Sequence, residues 1–214
     1  MSLAQQLKCH LKQLKAFKLQ MLNGSLGFVI IISAVCILLH FFIQESTLAY
    51  RYSDISQGQW WRLITGNLMH TNHWHLAMNI AGLWVISFLY QFNRNLIKIL
   101  FLYSVLCLME GLGLYWFYPN LQGYVGLSGV LHGLFAYGAV REIFLKIKMG
   151  YFLLLGVIAK TAYEQFFGAS SEVSQMIGAR VATEAHLIGM ISGVLIAVTC
   201  CMLSKAQKSN KNKI

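Results

Sequence analysis

Charge is what this sequence has least of. Of its 214 residues 11% are charged and 57% hydrophobic, against the roughly 25% charged usual in soluble domains. That balance is the composition of a membrane protein. Asp54 is the only aspartate, which excludes intramembrane protease chemistry built on two aspartates. The five cysteines, at 9, 36, 107, 200 and 201, are odd in number and show neither a disulfide framework nor zinc-ligand spacing. His-Glu-x-x-His is missing too, so the histidines call for no metal, and no other cofactor is implied. The only proline, Pro119, lies in a connection. A formal charge of +10 could suggest nucleic acid. The basic residues, however, lie between and beyond apolar runs, which excludes a nucleic-acid face and makes them topology signals.

What the chain has is apolar length. Runs near 24 to 43, 72 to 91, 96 to 117, 126 to 145, 149 to 168 and 183 to 203 each approach the roughly 20 residues that cross a bilayer. The expected fold is all-α, a polytopic membrane protein with a six-transmembrane-helix bundle at 24–203. A basic amphipathic arm, 1–23, precedes it and a basic tail, 204–214, follows. Thirteen Lys and Arg fall on one side of this topology and only Arg51, Arg62 and Arg180 on the other. Both termini are therefore expected to be cytoplasmic, with the loop 44–69 facing outward.

In that topology the second, fourth and sixth helices begin at the outer face. The second carries His70, His73, His75 and Asn79, the fourth begins at Ser128 between Gly126 and Gly129, and the sixth begins near His186. Polar groups inside a membrane are costly and face the bundle interior or a water-filled cavity. A serine flanked by glycines needs a base, and a histidine suits that task. His186 is the expected base, because it can approach from a separate helix. His132, four residues after Ser128, is the competitor or a packing residue. Asn79 and His75, four apart on one face, could join the Ser128 N–H as oxyanion donors. His73 points elsewhere, and His70 lies a turn further out. Lys160 and Glu164 are also four apart: they could neutralise each other or contact a substrate. Glu184, two positions before His186, points to a different face.

These residues resemble the rhomboid intramembrane serine proteases. The resemblance rests on Trp61-Arg62, on His70, His75 and Asn79, on Gly126-Leu127-Ser128-Gly129, and on Ala185-His186 with Gly189 and Gly193. It implies a catalytic dyad of Ser128 and His186 without a carboxylate, with His75, Asn79 and Ser128 stabilising the oxyanion. His70, His132, Gly126 and Gly129 would support it, with Lys160 and Glu164 as candidate substrate contacts. Many rhomboids have a tyrosine where this chain has His132. The short form and the run Gly-Leu-Ser-Gly-Val-Leu-His are more similar to the rhombosortase branch, which is thought to act on C-terminal Gly-Gly sorting tails. The expectation is an endopeptidase of membrane-anchored protein substrates, resolving its acyl-enzyme with water or an amine. It would lie in a bacterial inner membrane and open to the periplasmic or outer face. The alternative is a catalytically silent rhomboid-like protein that binds or escorts membrane segments.

Overall fold

The computed structural model describes residues 24–90 and 95–211, so the arm 1–23 lies outside the described residues. Six helices of 17 residues or more organise the described residues: α1 (Gly24–Phe42), α5 (His73–Leu89), α6 (Leu96–Phe117), α7 (Ser128–Phe144), α8 (Met149–Phe167) and α10 (Thr183–Lys211). Short helices fill the connections: α2 (Glu45–Leu48), α3 (Tyr52–Ser56), α4 (Arg62–Thr65) and α9 (Ser171–Ile177). By length and composition, Gly24–Phe42, Leu96–Phe117 and Thr183–Gln207 are able to cross a membrane. α5 and α7 are shorter, at 17 residues, and α8 carries Lys160 and Glu164 in its second half. α10 continues as helix to Lys211, beyond the boundary expected at 203.

Two strands qualify the all-α expectation. β1 (Tyr50–Arg51) pairs antiparallel with β2 (Gly123–Tyr124), with Tyr50 opposite Tyr124 and Arg51 opposite Gly123. This short ladder ties the loop after α1 to the segment that leads into Ser128. Arg62 holds the same loop from within. Its guanidinium donates to Gln59 Oε1 (2.8 Å), Ser46 O (3.1 Å) and Ala49 O (2.7 Å) and pairs with Asp54 (3.2 Å). A buried guanidinium needs that many acceptors, because an uncompensated buried charge is severely destabilising.

The interior is apolar, with Phe28, Leu83, Leu106, Leu127 and Leu134 fully buried. So is much of the exterior: Phe42, Val85, Phe101, Trp116, Phe152 and Phe166 are all more than 60% exposed. An outer surface of that kind belongs in lipid, and this is an integral membrane protein.

Lipid offers no hydrophobic drive between helices, so close backbone packing must hold them. α7 and α10 supply it with paired small residues. A Cβ on Gly189 would strike the Gly129 carbonyl, and one on Gly193 would strike the Gly133 carbonyl. The two helices run in the same direction: Ser128 meets His186 at one end and Phe144 meets Lys205 at the other. α5 starts at the same level, with Asn72 as N-cap accepting from His75 N at 2.9 Å.

Candidate active site

The site lies where the first turns of α5, α7 and α10 converge. Ser128 Oγ is 3.0 Å from His186 Nε2, within hydrogen-bond reach. Ser128 is half-buried and His186 buried. Because Ser128 opens α7, its own N–H is among the helix-terminal donors that have no intrahelical acceptor.

Gly126 makes the approach to Ser128 possible. Its φ of +120° is a conformation that side-chain-bearing residues rarely adopt. A Cβ there would lie 2.6 Å from His75 Nε2 and 3.3 Å from Asn79 Nδ2, so both side chains crowd the space beside the Ser128 turn. Asn79 is 5% exposed, and its Nδ2 has no hydrogen-bond partner among the described residues. An unspent buried donor is costly unless something is meant to fill it. His75 is held by Thr71, whose hydroxyl lies 3.0 Å from Nδ1 and donates to Ile177 O at 2.6 Å. Gly129 has no room for a side chain either, since a Cβ would strike Glu110 Oε1 and lie 2.8 Å from the backbone carbonyl of Ala185.

The other histidines separate by position. His70 is buried and packs edge-on against His75, with ring centroids 5.1 Å apart. Burial, then the neighbouring His75 and His40, pushes its imidazole down to about 3. His73 turns away to His40, 2.8 Å distant, and lies outside the site. His132 lies flat on His186, with centroids 4.1 Å apart and planes 17° from parallel, and its Nδ1 is 2.7 Å from Ser128 O.

α8 completes the picture. Glu164 Oε2 is 2.8 Å from His186 Nδ1, and Lys160 Nζ is 2.6 Å from Glu164 Oε1 and 3.1 Å from His132 Nε2. Glu184 instead pairs with Arg180 at 3.0 Å.

Two cavities meet at Ser128 and His75. One, about 260 Å³, is walled by Glu45, Arg51 and Arg180 among others. The second, about 380 Å³, is bounded by Met78, Leu131, Lys160, Glu164, Val173 and His186.

A family model of the Rhomboid domain matches residues 57–203, most of the described chain. The chain belongs to the rhomboid family. It is also similar to the Bacillus subtilis (strain 168) protein named "Putative rhomboid protease YdcA", at 25% identity over 146 residues covering 68% of this chain and 70% of that relative.

Within the rhomboid domain, the structure brings together Ser128, His186, His75, Asn79, His132, Lys160 and Glu164 and sets Gly126 and Gly129 against them. Sequence reasoning missed two features. One is Thr71 behind His75, which the i, i+4 spacing could have suggested. The other is Glu164 on the His186 ring. α8 runs against α10, so its second half reaches the level of His186, but depth along α8 does not say which way Glu164 faces.

Proposed function

We propose that this rhomboid is a serine intramembrane endopeptidase with Ser128 as nucleophile and His186 as general base and acid. The observation that carries the reading is the 3.0 Å contact from Ser128 Oγ to His186 Nε2, beside the unspent donor of Asn79. His186 takes the hydroxyl proton as Oγ attacks a backbone carbonyl of the substrate. Charge developing on that oxygen is met by Asn79 Nδ2 and the Ser128 N–H, and by His75 Nε2–H in the tautomer whose Nδ1 accepts from Thr71 N at 3.5 Å, each such donor being worth about 10² to 10³ in rate. His186 then returns the proton to the leaving amine, and water or an amine releases the acyl group.

The two cavities divide the labour in this reading. The charge-lined one admits water from the face that carries β1 and Arg180. The other, with Met78, Leu131 and Val173 in its wall, accepts the apolar part of a membrane-anchored protein. In this reading the chain makes six spans with cytoplasmic termini, so this mouth opens at the outer face, and the run through His132 supports a rhombosortase-like substrate, a C-terminal Gly-Gly tail.

The test is cleavage in reconstituted liposomes of membrane-anchored reporters, some with Gly-Gly tails. Ser128→Ala should fall to background while keeping the wild-type melting profile. Cleavage persisting in Ser128→Ala would overturn the reading.

A further inference from the structure

We propose that Glu164 is a positioning residue that completes a Ser128–His186–Glu164 triad, and that the Lys160 ammonium, bridging Glu164 and His132, locks the site's proton arrangement. The inference rests on the nucleophile assigned above and adds a carboxylate to a pair expected to work without one.

Five groups close a ring of contacts. Ser128 Oγ meets His186 Nε2 (3.0 Å), His186 Nδ1 meets Glu164 Oε2 (2.8 Å), Glu164 Oε1 meets Lys160 Nζ (2.6 Å), Lys160 Nζ meets His132 Nε2 (3.1 Å), and His132 Nδ1 meets Ser128 O (2.7 Å). An ammonium only donates and an ionised carboxylate only accepts. Lys160 therefore donates to His132 Nε2, which forces the proton of that ring to Nδ1, where it donates to the Ser128 carbonyl. Glu164 accepts from His186 Nδ1–H, which leaves Nε2 bare to accept from the Ser128 hydroxyl. Every bond in the ring is satisfied by one assignment, and that assignment is the one in which His186 can act as base.

Charge supports the same conclusion. When His186 takes the serine proton it becomes a cation stacked on a neutral His132 and bonded to a carboxylate. Glu164 is the group that stabilises that cation, and its side chain is only 11% exposed, where the interaction is weakly screened. Lys160, with its side chain 53% exposed, neutralises Glu164 in the resting state. His132, Glu164 and His186 also have ligand atoms within 4.8 Å of one another, as a metal site would. The Lys160 ammonium already stands between Glu164 and His132 and fills the place of a cation.

The experiment uses full-length protein in detergent and a fluorophosphonate probe, which reports the nucleophile without needing the natural substrate. Wild type should label at Ser128, and Ser128→Ala should not. Glu164→Gln keeps the shape and removes the charge. Its labelling rate at saturating probe should drop roughly 10²- to 10⁴-fold, with the half-saturating probe concentration unchanged. Glu164→Ala opens space in the 380 Å³ cavity, so sodium formate should restore its labelling at least about tenfold, while neutral formamide should not. A Glu164→Gln rate within threefold of wild type overturns the proposal. So does equal rescue by formamide, which would make Glu164 a space-filler. A wild type that does not label at Ser128 overturns the nucleophile itself, an outcome distinct from the other two. Melting profiles of Glu164→Gln and wild type should coincide, so slow labelling is not loss of fold.

Discussion

Replacing Gly126 with alanine separates chemistry from binding in the proposed mechanism. Two effects act at once. The backbone at φ +120° is a region that a Cβ disfavours, at a cost of about 1 to 3 kcal/mol. The added methyl also meets His75 Nε2 at 2.6 Å and Cε1 at 2.8 Å, whereas ordinary contact begins at 3.4 Å. His75 must then retreat by about 0.8 Å, and a misplacement near 1 Å in a preorganised site costs on the order of 10² in rate. Asn79 Nδ2, at 3.3 Å, is pressed less hard. The expected outcome is a fall in turnover of about 10² to 10³, the worth of one oxyanion donor, with apparent substrate affinity changed little.

The assay is cleavage in liposomes of a reporter that wild type cuts, followed over a range of reporter density so that turnover and affinity separate. Melting of the same preparations measures the backbone term independently. Turnover in Gly126→Ala within threefold of wild type would refute the claim that His75 and Asn79 close on the oxyanion. A loss that merely tracked the unfolded fraction would refute it as well.

Two further outcomes follow from the packing and the buried histidines. Gly189→Leu forces α10 away from the Gly129 carbonyl, so it should abolish Ser128 labelling and lower the melting temperature, whereas Gly156→Ala, where a Cβ within a helix meets nothing within 4 Å, should not lower melting. His70 has its folded value depressed to about 3 from an ordinary 6.5. The unfolded chain therefore binds the proton first, and stability is fully present above about pH 6.5 and falls as pH drops from there toward 3. Melting followed from pH 7.5 to 4.5 should show that decline, and His70→Phe should make it shallower.

Much of the site was legible because membrane depth is nearly one-dimensional. Once the apolar runs and basic connections are assigned, Ser128, His75, Asn79 and His186 fall at one level, and the i, i+4 rule separates His75 with Asn79 from His73. Helix rotation was not legible. Whether Glu164 faces a lipid, a substrate or His186 depends on how α8 is turned about its own axis, and a helix apolar on most faces carries little periodicity to say so. The same limit hid the stack of His132 on His186. β1 and β2 escaped for a different reason: two-residue strands leave no alternating pattern, and their pairing joins segments more than 70 residues apart. Arg62 looked like part of a motif and a topology signal, but two of its four acceptors are backbone carbonyls that no side-chain pattern announces.

The distance between Ser128 and His186 is inherited from glycine rather than from rotamers. Each residue lies within a turn of a seam glycine: Ser128 is next to Gly129, and His186 is three residues before Gly189. Where those backbones touch, the helix axes approach as closely as helices can, and the side chains above the contact need only their ordinary lengths to meet. A larger residue at the seam would add separation that serine, with one rotatable bond before its hydroxyl, has no reach to recover. Glu164 has that reach, as it approaches from α8 on a longer side chain. A seam variant should therefore break the serine contact while the glutamate contact survives, so nucleophile and carboxylate fail independently. The order of failure distinguishes a site set by helix spacing from one set by side-chain adjustment.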